Sequence, residues 1–144
     1  MKAYADAWLG TCSPLGTDSV TLSPYLGFES LRPALDAAAA NQRGTFVLAL
    51  TSNPEGKSVQ HVGKTEDTGA VAKQIIAAAT AENTAQTWER MGSCGLVVGA
   101  TVGEVFHDLA IDLSAFNSPI LSSGYGAQGA NAKDLYRVLG SSPA

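Results

Sequence analysis

Two stretches of the chain carry side chains that could grip a ligand, and neither carries a set arranged to attack one. "TSNPEG", Thr51 to Gly56, places two hydroxyls and an amide directly after an apolar run. "GYGAQGAN", Gly124 to Asn131, sets the lone amide of Gln128 among Gly124, Gly126 and Gly129. Glycines permit positive φ, and successive N–H groups in such a turn can converge on one point, which suits an anion such as phosphate. Asn131 is a good helix cap, and a helix starting there would add its positive end. The competing readings are a slack linker for the second stretch and a turn-capping hydroxyl for Ser52 in the first. No G-x-S-x-G elbow, Walker loop or zinc pattern occurs. His61 and His107 stand singly, at no metal-ligand spacing, so no metal is expected.

Four apolar or β-branched runs must position these loops: "DSVTLS" at 18–23, "TFVLALT" at 45–51, "GLVVGAT" at 95–101 and "SPILSSG" at 118–124. They are continuous rather than alternating, as in parallel strands covered on both faces. Helical patterns alternate with them. Lys2 to Leu9 opens the chain, and Ser30 to Ala40 follows, with Pro33 tolerable in a first turn. Thr68 to about Arg90 spaces Val71, Ile75, Ala78 and Ala79 as one buried stripe. Thr101 and Glu104 form a capping-box pattern before a short helix, and Asn131 with Asp134 opens a last one, Lys133 to Leu139. The expected fold is α/β, one domain of four βα units over residues 1–144, with ligand chemistry at the C-terminal strand ends.

Composition excludes other classes. With nine basic residues spread thinly and a net charge of −4, the chain has no Lys/Arg stripe to neutralise a run of phosphates, so nucleic acid is not an expected partner. No apolar run approaches a membrane span, so no membrane partner is expected either. Cys12 and Cys94 have neither metal spacing nor the density of a secreted scaffold. The expectation is a cytoplasmic protein with reduced thiols.

At the strand ends the chain resembles a known family. "YADAWLG", "TLSPYLGFESLRPAL", "FVLALTSNPEG", "GLVVGAT" and "GYGAQGA", in this order, resemble the actinobacterial-type orotidine 5′-phosphate decarboxylases, from Tyr4 to about Leu139. The resemblance implies a TIM (β/α)8 barrel of which this chain supplies the fourth to seventh strands, about half. It implies a cofactor-independent lyase that converts orotidine 5′-monophosphate to uridine 5′-monophosphate in pyrimidine biosynthesis. In the family, a D-x-K-x-x-D array stresses the substrate carboxylate and its Lys protonates C6. That signature lies just upstream of the "YADAWLG"-like segment in the family, beyond Met1 here, and "KTED" at Lys64 to Asp67 lacks its leading Asp.

Carried over position by position, Ser52 matches the serine that hydrogen-bonds the pyrimidine, with Thr51 and Asn53 beside it. Leu48 and Val98 match the apolar pocket around the departing carboxylate; on pattern alone both read as core. Gln128 matches the glutamine that bridges pyrimidine and phosphate, on a loop shaped by Gly126 and its neighbouring glycines. Two departures stand out: Ser123 replaces a common Pro, and Ala130 a Gly, which would be costly if position 130 required positive φ. The family's phosphate-binding Arg follows an eighth strand, whereas this sequence ends "GSSPA" and Arg137 belongs to the preceding helix. Tyr25 in "SPYLG", next to Ser23, reads as packing or subunit contact. The implied chain is a substrate-binding half without the charged array, inactive alone. The alternatives are a non-catalytic nucleotide- or phosphate-binding half-barrel, a homodimer closing two bare sheet edges into one barrel, and an open flavodoxin-like sheet.

Overall fold

The runs of apolar residues become strands in the computed structural model, which describes residues 1–140. They are β1 (Ser19–Leu22), β2 (Gly44–Leu50), β3 (Cys94–Val98) and β4 (Ile120–Leu121). The reading of the "GSSPA" end beyond Gly140 lies outside the described residues. Helices alternate with the strands: α1 (Lys2–Leu9), α2 (Arg32–Ala40), α3 (Lys57–Gln60), α4 (Val71–Thr84), α5 (Gly103–Asp108) and α6 (Ala132–Leu139). Short 3₁₀ turns, Phe28–Leu31 and Pro54–Gly56, lead into α2 and α3.

All three strand pairs are parallel and the sheet order is β1-β2-β3-β4. This order decides between the two architectures. A doubly wound sheet reverses direction at a switch point, whereas the strands of a barrel advance one place at a time. Four strands in unbroken sequential order are half a (β/α)8 barrel, and the flavodoxin-like alternative is set aside.

The register shows which face the helices cover. Leu22 pairs with Val47, Val47 with Leu96, and Leu96 with Ile120. Neighbours across a parallel sheet point the same way, so these four form one row. Leu22, Val47 and Leu96 are buried and Ile120 packs against the core. α2 and α4 pack on this side, contributing Ala34, Leu35, Ala38, Ala72, Ile76 and Ala79. The next row, Leu48, Val97 and Leu121, passes from half-buried through buried to 46% exposed. Covering on both faces therefore holds for β3, buried at all five positions, but not for β1, whose Ser19 and Thr21 are exposed. Gly95 serves the face of Leu48 and Val97: a Cβ there would stand 2.7 Å from the Phe46 ring, which lies across β3.

Two expected helix details differ. The buried stripe of α4 is Ala72, Ile76, Ala79 and Asn83, one residue on from the expected one for most of its length. Gly69, at φ +75°, and extended Ala70 delay the helix start to Val71, and Trp88 Nε1 donates to the Asn83 carbonyl at 2.8 Å as the helix ends. At α5, Val102 rather than Thr101 occupies the N-cap, and no side-chain cap bond forms. Ion pairing ties the layer together, with Arg32 Nη1 on both carboxylate oxygens of Glu82, at 2.9 and 2.8 Å, joining α2 to α4.

Candidate functional site at the strand ends

The C-terminal end of β2 is built by three contacts around Thr51 and Ser52. A register shift between Leu48 and Leu50 ends the regular pairing with β3. Beyond it, the Thr51 backbone N–H donates to Gln60 Oε1 at 2.9 Å, and Gln60 Nε2 donates to Thr51 Oγ1 at 3.0 Å. Ser52 then sits against the end of β3, where a Cβ on Gly99 would stand 3.1 Å from Ser52 N and 3.5 Å from its Cβ. Gly99 N donates to Leu50 O at 2.9 Å, fixing that approach. The Ser52 side chain is exposed, and among the described residues its hydroxyl makes no hydrogen bond. A hydroxyl that capped its own turn would be occupied; this one is free to bond a ligand.

Thr51, Ser52 and Asn53 line a cavity of about 180 Å³ with Lys57, His61, Thr101, Val102 and Val105. Neither Lys57 nor His61 could be singled out from the sequence as a neighbour of Ser52; α3 brings them there by turning back directly after the loop. Leu48 lines a separate cavity of about 250 Å³ that includes Ser23, Tyr25, Val59, Gln60 and Ile75. Tyr25 is 79% exposed at its rim. The structure does not set Leu48 and Val98 side by side: Leu48 pairs with Val97, while Val98 pairs with Leu50 across the register shift and is fully buried in the core.

The loop after β4 has the conformation its glycines allow, but it is not an open cradle of amides. Gly124, Gly126 and Gly129 all take positive φ, at 96°, 74° and 90°. The amides of Gly126, Ala127, Gly129 and Ala130 then donate to carbonyls of the same loop, those of Ala130, Tyr125, Gly126 and Gly124, at 2.9–3.2 Å. Gly126 thus shapes the loop with its N–H already engaged. The helix start behind it is likewise occupied, because Lys133 N donates to Asn131 Oδ1 at 2.8 Å and Asn131 N to Asp134 Oδ2 at 2.9 Å. What the loop leaves open is Gln128 itself. Its exposed side chain folds toward Gly124, whose missing Cβ would stand 3.2 Å from Gln128 Oε1. Ala130 is buried and not among the positive-φ residues, so its replacement of glycine brings no backbone strain. Ala100 N donates to Ser123 O at 2.7 Å and Ser122 Oγ to Val98 O at 2.9 Å, so the ends of β3 and β4 are held together.

Elsewhere, burial pushes the Cys94 thiol up to about 11 from its ordinary value of 9.0, an effect partly offset by the neighbouring Thr45 hydroxyl. Among the described residues that buried hydroxyl makes no hydrogen bond of ordinary geometry. Cys12 is exposed and both thiols are free. Arg137 and His107 border a groove at α5 and α6 together with Glu104 and Asp108, apart from Ser52.

Fold and loops together define half of a (β/α)8 barrel whose strand ends carry an unoccupied hydroxyl, an exposed amide and a glycine-shaped turn. Residues 1–142 match the orotidine 5′-phosphate decarboxylase / HUMPS family model, and the chain belongs to that family. It is 51% identical over 141 residues to the orotidine 5′-phosphate decarboxylase of Salinispora arenicola, covering 98% of this chain and 48% of the relative. The same identity holds over 142 residues for that of Salinispora tropica, with 99% and 49% covered. A crystal structure described as an orotidine 5′-phosphate decarboxylase from Streptomyces avermitilis superposes with a TM-score of 0.83 at 49% identity, over 96% of this chain and 46% of the other. The chain therefore spans about half the length of the relatives it matches. No helix among the described residues is long and apolar enough to cross a membrane.

Proposed function

We propose that this chain is the substrate-binding half of an orotidine 5′-phosphate decarboxylase, with its site at the ends of β2, β3 and β4. In this reading Ser52 hydrogen-bonds the pyrimidine and Gln128 reaches between pyrimidine and phosphate. Leu48 supplies apolar surface, Gly126 sets the loop, and Thr51 supports Ser52, while Val98, fully buried, packs in the core behind the strand end. The observation that carries it is Ser52, whose backbone N and Cβ lie against Gly99 while its hydroxyl has no hydrogen-bond partner among the described residues. The reaction breaks the bond from C6 to the carboxylate, releases CO2, leaves the electron pair at C6 and requires a proton there. Preorganised charge must stabilise that carbon, and remote contacts to the phosphate supply binding energy. The 144 residues contain no D-x-K-x-x-D, so the pure chain is proposed to bind uridine 5′-monophosphate and not to turn over orotidine 5′-monophosphate. A cytoplasmic location accompanies this reading. Isothermal titration with uridine 5′-monophosphate tests it: saturable heat in the millimolar range or below supports the site, and a flat titration refutes it. Decarboxylation of orotidine 5′-monophosphate by the pure chain would refute the division of labour.

A second reading concerns assembly, and Leu121, 46% exposed on the outermost strand β4, favours it. Among the described residues β1 and β4 each pair on one side only, and two copies related by a two-fold axis would place β4 of each beside β1 of the other. Light scattering during size exclusion should then give about twice the 14.8 kDa of the chain, and a monomer rules this homodimer out.

A further inference from the structure

We infer that Gln60 is a positioning residue for Ser52, setting ligand affinity at the end of β2 without touching the ligand. This rests on the reading of Ser52 as a nucleotide contact. The side chain of Gln60 reaches back nine residues from the last turn of α3 and closes two bonds on Thr51, one to its backbone N–H and one to its hydroxyl. The pair fixes the amide's orientation, since rotating it would set a donor against the Thr51 N–H. The bonds begin where pairing between β2 and β3 ends, at Leu50, so Gln60 replaces the ladder for the next residue and holds the backbone that carries Ser52. Room for the amide is built in independently. A Cβ on Gly56 would stand 2.9 Å from Gln60 Nε2, so the glycine in "TSNPEG" lets the side chain pass beneath the loop. Ser52 is thereby held from two sides, by Gly99 of the β3 end and by Thr51 under the Gln60 clamp.

A double-mutant cycle on the full 144-residue chain separates this role from a merely structural one. Uridine 5′-monophosphate affinity is measured by titration for wild type, Gln60→Leu, Ser52→Ala and the double variant. Gln60→Leu is expected to weaken binding about ten-fold, a loss near 1.4 kcal/mol by the ordinary conversion. In the Ser52→Ala background the same change should cost nothing further, because Gln60 acts only through that hydroxyl. Thr51→Val gives a second route if Gln60→Leu folds poorly. It removes the hydroxyl acceptor, keeps the backbone bond, and should weaken binding less, again only when Ser52 is present. Additive losses, or wild-type affinity in both Gln60→Leu and Thr51→Val, overturn the proposal while leaving the nucleotide site intact. Absence of binding by the wild-type chain overturns the nucleotide-site reading and this inference with it.

Discussion

Replacing Asn83 by alanine should remove the anchor at which β3 begins. Asn83 is buried on α4, and its side chain closes two bonds on one residue of the next strand: Nδ2 donates to Cys94 O at 2.8 Å, and Oδ1 accepts from Cys94 N at 3.1 Å. Cys94 is 1% exposed, so neither backbone group has water at hand when the amide is cut away. Each buried group left unsatisfied costs about 1–3 kcal/mol, and the pair roughly 2–6 kcal/mol. Against the 5–15 kcal/mol of an ordinary domain, which is about the most to expect of this one, that is a large fraction. Gly92 makes the same point from the opposite side, since a Cβ there would overlap the Asn83 side chain, so Gly92→Ala should also destabilise. Urea unfolding followed by far-ultraviolet circular dichroism measures the effect. The expected result is a lower midpoint at unchanged slope, worth at least about 2 kcal/mol. A loss under about 1 kcal/mol would refute the reasoning, because it would mean that Cys94's polar groups find other partners at no cost.

Further consequences can be measured on the same chain. The Cys94 thiol titrates near 11 in the folded state against 9.0 ordinarily, so between those values the unfolded chain releases a proton that the folded chain keeps. The stability this contributes is fully present below pH 9 and is lost as pH rises toward 11, by about 2–3 kcal/mol; the slope should vanish in Cys94→Ala, and an unchanged slope would contradict it. Under native conditions a thiol reagent should label exposed Cys12 and spare buried Cys94 until the chain unfolds, as mass spectrometry of the labelled peptides would show. Thr45→Val removes a buried hydroxyl that makes no hydrogen bond of ordinary geometry among the described residues, and should be neutral or stabilising by up to about 1 kcal/mol in thermal melts; a clear loss would show that its contact with Cys94 satisfies it.

Local features were legible where one short stretch decides them. The apolar runs mark all four strands, and the Asn131 and Asp134 pair marks the start of α6 with its full capping box. The three glycines of the 124–129 loop do take the positive φ that their spacing suggests. Features set by tertiary packing were not legible. The stripe of α4 shifts because Gly69 and Ala70 delay the helix, and because Asn83 faces inward to serve a residue eleven positions away. The Thr101 and Glu104 pattern has the right letters for a capping box, but the helix starts one residue later. Likewise, composition shows that the 124–131 loop can turn, not that its amides spend themselves on its own carbonyls. A glutamine nine residues after a threonine has no periodic meaning, so Gln60 emerges only once α3 folds back on β2.

The central claim is that the loops after β2, β3 and β4 act together as one nucleotide site, and amide chemical-shift mapping tests it most directly. Titrating isotopically labelled chain with uridine 5′-monophosphate should shift the amides of Ser52, Gly99 and the Gly124–Gly129 loop along one common saturation curve. Shifts confined to the groove of Glu104, His107 and Arg137, or no saturable shift at any of the three strand ends, would contradict it.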